Sequence, residues 1–141
     1  MVDFLLVGNK NAVFYKNIFP HIKFYNIRFG YNNVKLFLGG SYSCIWFTSL
    51  IVENRPYIKL KCYDKDKYMK FDRFDAINVD KLEDIPDYDG YMGVPITFLE
   101  RWNMDQFDVI GLCNKGSWKL DIFRPIVNGI DKYARILIKK K

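Results

Sequence analysis

His21 is the sole histidine of the 141-residue chain, so a Ser-His-Asp or Cys-His site would have to be built on it. It directly follows Pro20, in a helical pattern whose apolar face needs covering, and a structural or exposed imidazole is expected. The carboxylates Glu83, Asp84, Asp87 and Asp89 crowd one stretch and would suit a hard cation. Without the glycine punctuation of a calcium loop, a solvated acidic loop is the better expectation. Neither Gly-x-Gly-x-x-Gly nor Gly-x-x-x-x-Gly-Lys occurs, so no phosphate-cradling loop is visible. Cys44, Cys62 and Cys113 are odd in number and widely spaced, which fits neither a disulfide framework nor a zinc site; buried free thiols are expected.

Two polar and aromatic clusters remain. Asn9, Lys10 and Asn11 follow the apolar run Phe4-Leu5-Leu6-Val7, and the carboxyl end of such a strand is where open α/β sheets bind ligands. Capping by Asn11, with Gly8 in a tight turn, accounts for the same residues. Trp46-Phe47-Thr48 points two rings to opposite faces of a strand. Either both rings are core, or one is core and the other a platform for stacking a base.

These residues need elements to hold them. The unbroken run at residues 4–7 reads as a strand buried on both faces of a parallel sheet, and Asn11 then caps a helix carrying Val13, Phe14, Ile18 and Ile22 until Pro20 interrupts it. Residues 34–38, a Gly39-Gly40 turn, residues 44–48 and residues 57–63 read as antiparallel strands. The acidic block at residues 64–89, with turns at Pro86-Asp87 and Asp89-Gly90 and a strand at residues 76–79, reads as a surface excursion. A short helix follows Pro95, with Ile96, Phe98, Leu99 and Trp102 apolar. Residues 107–113, 118–123 and 133–138 are further strands, the last alternating Ala134, Ile136, Ile138 before Lys139-Lys140-Lys141.

Composition bounds the rest. Half the residues are hydrophobic, with 12 Phe, 10 Tyr and 3 Trp, which excludes a disordered chain and predicts a single folded domain over residues 1–141. No apolar run approaches the roughly 18 residues of a membrane span, and the N-terminus does not read as a secretory signal, so a cytoplasmic protein without membrane contact is expected. The net charge of +6 conceals alternation: residues 1–63 hold 8 basic and 2 acidic side chains, residues 64–110 hold 6 and 12, and residues 111–141 hold 8 and 2. Brought together, the two basic blocks would make a surface for a phosphate backbone; otherwise the blocks balance one another internally.

Five segments resemble, in the same order, the C-terminal part of the EcoRI-type adenine-specific DNA methyltransferase family: Gly8-Asn9-Lys10-Asn11-Ala12-Val13, Trp46-Phe47-Thr48, residues 88–99, residues 107–111 and residues 133–138. The Gly-Val-Pro-Ile-Thr-Phe-Leu stretch from Gly93 is the most specific of them. The resemblance implies a mixed α/β fold, the later strands of a Rossmann-like methyltransferase sheet with an appended antiparallel β region. It implies double-stranded DNA as partner and S-adenosylmethionine as cofactor of the full-length family. By resemblance Asn9, Lys10 and Asn11 border the target-base pocket, Trp46, Thr48, Gly93, Pro95 and Thr97 are further DNA-binding candidates, and Lys139, Lys140 and Lys141 would contact phosphates.

The family's Asn-Pro-Pro-Phe motif and its cofactor loop are absent here, since none of Pro20, Pro56, Pro86, Pro95 and Pro125 adjoins another proline. The expectation is therefore a DNA- and base-contacting portion that binds no cofactor and is inactive alone. The alternative is a non-catalytic nucleic-acid-binding module. A homodimer through the first strand is also expected, because a strand read as buried on both faces would otherwise expose its edge.

Overall fold

The computed structural model describes Asp3, the strand backbone of residues 5–9, 28–31 and 44–48, and residues 55–114 and 123–141 with their side chains. The strands among these residues are β1 (Leu5–Asn9), β2 (Arg28–Tyr31), β3 (Cys44–Thr48), β4 (Ile77–Asn78), β5 (Tyr91–Pro95), β6 (Phe107–Cys113), β7 (Ile126–Val127), β8 (Ile130–Asp131) and β9 (Arg135–Lys140). They form a three-stranded sheet in the order β1-β3-β2, a four-stranded sheet in the order β4-β5-β9-β6 and the β7-β8 hairpin. Helix is scarce among the described residues, with 3-10 turns at Leu82–Asp84 and Ile96–Glu100.

Of the alternation Ala134, Ile136, Ile138, the two isoleucines form one face of β9 and Ala134 immediately precedes it, all three packed with Met92, Val94, Phe98, Leu99, Phe107 and Val109 in the larger core. β9 lies between β5 and β6, so both its edges are paired, and its other face is covered as well: Leu137 joins Phe71, Ala76, Cys113 and Val127 in a second, smaller core. A bulge in β6 keeps the two cores distinct. Val109 opposes Ile138 and Gly111 opposes Leu137, which leaves Ile110 as the extra, exposed residue. The slip lets Val109 and Leu112, three apart in sequence, face the same core.

β4 and β5 make a parallel pair, Ile77 opposite Met92 and Asn78 opposite Gly93, joined by a crossover over residues 79–90. Gly93 sits on the side of β5 facing the second core, and a Cβ there would lie 2.6 Å from the Phe71 ring. Close approach of an aromatic ring therefore accounts for this glycine. The β7-β8 turn is Asn128-Gly129, both at positive φ (49° and 77°), as a two-residue hairpin of right-handed twist requires. The Asp72 carboxylate accepts from the Asn128 and Gly129 amides at 2.9 and 2.8 Å, which ties the turn to the acidic block.

The structure corrects several expectations. β1 runs antiparallel to β3, with Leu5 opposite Thr48 and Asn9 opposite Cys44, at the edge of its sheet order rather than in a parallel interior. A continuous apolar run reports burial and says nothing about strand direction. Residues 57–63 are extended but form no strand beyond a single bridge from Lys61 to Pro86, the Ile58 amide and carbonyl being bonded by the Gln106 side chain instead of a neighbouring strand. The acidic block is no surface excursion, since Tyr68, Phe71, Ala76, Ile77, Val79 and Ile85 are all buried. The helix after Pro95 is a single 3-10 turn. The expected helix after Asn11, the strand at residues 34–38, the Gly39-Gly40 turn and all but the end of the strand at residues 118–123 lie outside the described residues.

Cys62 is exposed while Cys113 is buried, and burial pushes the Cys113 thiol up to about 12. Uniformly buried thiols are thus not what the chain has. Alkylation of the native protein with iodoacetamide near neutral pH is expected to label Cys62 and spare Cys113, read by peptide mass spectrometry. Equal labelling of both would show that the second core opens readily.

Candidate nucleic-acid interface

Residues 55–61 form one wall of a groove of about 620 Å³, lined by Arg55, Tyr57, Lys59 and Lys61 on this segment and by Leu82, Glu83, Glu100 and Arg101 opposite. The wall is extended, so alternate side chains diverge: Ile58 and Leu60 pack against the larger core, while Tyr57, Lys59 and Lys61 are exposed. Its backbone is held without a neighbouring strand. The buried Gln106 accepts from the Ile58 amide and donates to the Ile58 carbonyl, both at 2.7 Å. Lys61 donates to Ile85 O at 2.9 Å and accepts from the Asp87 amide at 2.7 Å. At the start of the wall Arg55 donates to the carbonyls of Leu99 and Trp102 at 3.0 and 3.2 Å, and Asn103 donates to the Arg55 carbonyl.

Arg101 lies 3.8 Å from Glu83 across the groove. Among the described residues neither Lys59 nor Lys61 makes an ion pair, and Tyr57 is 64% exposed. The lining thus presents an aromatic ring, two unpaired ammonium groups and two guanidinium groups against two carboxylates, a composition suited to an anion with a flat, stackable part.

A second cluster joins β4 to β9. The buried Arg135 donates to Asn78 Oδ1 at 3.1 Å, to the Tyr133 carbonyl at 3.0 Å and to Asp80 Oδ1 at 3.0 Å, while Lys132 approaches Asp80 at 3.7 Å. The Asn78 amide, with Lys132 and Arg135 assisting, holds the Asp80 carboxyl below its ordinary value of 3.8. A depressed folded-state value contributes stability above the ordinary value and loses it as the pH falls through the folded one. Asp80→Asn should therefore narrow its stability gap to the parent chain as the pH drops below about 4, in thermal melts followed by circular dichroism. Asp80 is 60% exposed, so the effect will be modest. A gap that stays constant down to pH 2 would show that the ion pairs contribute nothing.

The residues singled out from the sequence disperse over this frame. Asn9 ends β1 opposite Cys44, Trp46 pairs with Val7 on one side and Tyr31 on the other, and Thr48 pairs with Leu5 and Arg28. Lys10, Asn11 and His21 lie outside the described residues. Gly93 is buried, Pro95 opposes Arg135 across the ladder, and Thr97 is exposed in the 3-10 turn that runs beside β2.

The terminal lysines are not a loose tail, because β9 extends to Lys140. Lys140 pairs with Asp87 and, at 3.0 Å, with Asp89, and those carboxylates hold its ammonium above the ordinary range. Lys139 lies 5.3 Å from the Tyr91 ring centre and Lys141 is 3.7 Å from Asp108. Of the four loop carboxylates, Glu83 and Asp84 are paired too, with Arg101 and Lys67. No three His, Cys, Asp or Glu side chains converge as metal ligands among the described residues. Of the sequence-derived candidates whose side chains are described, Glu83 lines the groove, while Gly93, Pro95, Thr97, Lys139, Lys140 and Lys141 do not. The signal that would have found it is the Tyr57-x-Lys59-x-Lys61 alternation, which places one ring and two ammonium groups on a single side of an extended segment.

Compared with known proteins, residues 37–141 match the family described as adenine-specific methyltransferase EcoRI. The chain belongs to the EcoRI-type adenine-specific methyltransferase family. Among the family's relatives, the type II methyltransferase M.EcoRI of Escherichia coli is 35% identical over 167 residues, covering 98% of this chain and 50% of that protein. M.MpnI of Mycoplasma pneumoniae and a type II methyltransferase of Mycoplasma genitalium are each 31% identical over 181 residues, covering 99% of this chain and 57% of theirs. The chain thus spans about half the length of the curated family members it matches. No solved structure matches it. No helix among the described residues is long and apolar enough to cross a membrane.

Proposed function

We propose that this chain is the C-terminal, DNA- and target-base-contacting portion of an N6-adenine DNA methyltransferase of restriction-modification type, cytoplasmic, and inactive in methyl transfer by itself. The observation that carries the reading is the match over 98% of this chain to only 50% of M.EcoRI, in a sequence holding neither the glycine-rich loop nor the proline pair. Methylating an adenine amine inside a duplex demands that the base leave the stack and be held by hydrogen bonds and aromatic contact. In this reading Asn9, Lys10 and Asn11, with Trp46, Thr48 and residues 93–97, border the extruded base, and the basic side chains hold the backbone. S-adenosylmethionine supplies an electrophilic methyl group in such enzymes. The groove does not fit it, because a sulfonium cation would sit among Arg55, Lys59, Lys61 and Arg101. No step is therefore assigned to a cofactor on this chain.

Incubating the protein with labelled S-adenosylmethionine and adenine-containing duplex should leave the DNA unlabelled, while fluorescence anisotropy detects DNA binding that weakens steeply with salt. Label transfer above a no-protein control would overturn the inactivity, and no DNA binding at low salt would overturn the contacting role. Salt-sensitive binding that persists in the absence of any catalytic partner is also what the binding-module reading requires, and the groove favours that reading as the second. Two copies would pair through β1, which ends its sheet order. Sedimentation at micromolar concentration should then show a dimer that Leu6→Asp dissociates, and a monomer near 17 kDa would sink this.

A further inference from the structure

We infer that the groove between residues 55–61 and Arg101 takes an unpaired stretch of nucleic-acid strand, with a base stacked on Tyr57 and adjacent phosphates on Lys59 and Lys61. The inference rests on the proposed DNA-contacting role and names the surface and the state of the strand. Three observations converge on it. Tyr57 keeps 64% of its surface exposed although apolar Pro56, Ile58 and Leu82 lie in the same lining, so a π-face is available beside apolar side chains. Lys59 and Lys61 lie at the two following alternate positions, about 6.5 Å apart along an extended chain, with no carboxylate neutralising either among the described residues. The wall bearing all three is held by Gln106, Ile85 and Asp87, so little ordering remains to be done on binding.

Strand state follows from the ring. Phosphate contacts alone would serve a paired duplex equally well, but a stacked base offers its face to a protein ring only when it has left its own neighbours. The groove volume of about 620 Å³ is of the size that admits a nucleotide-scale ligand and is too small for a duplex. Arg101 contributes a further cation by exchanging Glu83, 3.8 Å away, for phosphate. In a methyltransferase that extrudes its target, the strand beside the vacated position is locally unstacked, which is the state this surface would hold.

The test is anisotropy of the intact chain with a fluorescent single strand, the matching duplex, and that duplex carrying one unpaired adenine. The first and third should bind more tightly than the paired duplex. Tyr57→Ala should weaken single-strand binding about ten-fold or more, and the indole introduced by Tyr57→Trp should restore it and lose fluorescence on binding. Lys59→Ala with Lys61→Ala should lower the slope of log affinity against log salt by roughly 1.4, while Lys132→Ala, outside the groove, leaves it nearly unchanged. Equal affinity of the parent chain and Tyr57→Ala, an unaltered fluorescence of Tyr57→Trp, an equal loss in Lys132→Ala, or equally effective displacement by polyglutamate would each overturn the inference. DNA binding that ignores the groove variants defeats the groove alone, whereas a parent chain that binds no DNA defeats the proposed contacting role with it.

Discussion

Phe98→Ala is expected to remove about 4 kcal/mol of folding stability. Phe98 is fully buried, meets the Phe107 ring edge-on at 5.6 Å and 82°, and touches a core that also holds Met92, Val94 and Ile136. Alanine would leave a cavity walled by strands of one sheet, whose hydrogen-bonded spacing cannot collapse around it. The melting temperature should fall by roughly ten degrees or more, with Phe98→Leu recovering much of the loss. A drop of only a degree or two would mean that the Ile96–Glu100 turn lifts off the sheet at little cost, which would also release the Leu99 carbonyl that Arg55 holds.

Gln106→Leu is expected to cost about 2 kcal/mol and, more tellingly, to unfasten the groove wall. The leucine fills similar volume but strands both the amide and the carbonyl of Ile58, each of which the glutamine satisfies at 2.7 Å. Hydrogen exchange at the Ile58 amide should accelerate far more than exchange within β6 or β9. Gln106→Glu separates the two bonds. Its carboxylate still accepts from the amide but opposes the carbonyl, so the neutral acid is favoured and its folded-state value rises. A raised value gives stability that is present at low pH and is lost as the pH climbs through it, so this variant should be most stable in acid. Unchanged exchange at Ile58 in Gln106→Leu would show that the wall does not depend on the amide.

Legibility in the sequence varied with the kind of signal. β3 and β6 matched the expected strands residue for residue, and β9 kept its alternating face, because β-branched and aromatic runs between turn residues report strands well. The acidic block misled because its charges sit on exposed turns while Tyr68, Phe71, Ile77 and Ile85 occur at no fixed period, so charge density concealed the apolar positions. The segment at residues 57–63 alternates like a strand, and the exchange of a ladder neighbour for a glutamine side chain leaves no local trace. The β7-β8 hairpin did carry a readable sign in Asn128-Gly129. Family resemblance reached the right class, and the groove, which joins residues 55–61 to Arg101, has no motif to betray it.

The pairing of Lys140 with Asp87 and Asp89 alters what an ionic-strength titration would count. A lysine that already has carboxylates for company brings its own counterions, so reaching a phosphate means trading one anionic host for another. DNA sheds a condensed cation in that trade, and the abandoned aspartates recruit one from solution. Such a contact is nearly silent in the salt slope. Counting phosphates from the slope would then register Lys59 and Lys61 and overlook Lys140, so even a steep slope would undercount this protein's footprint on the nucleic acid.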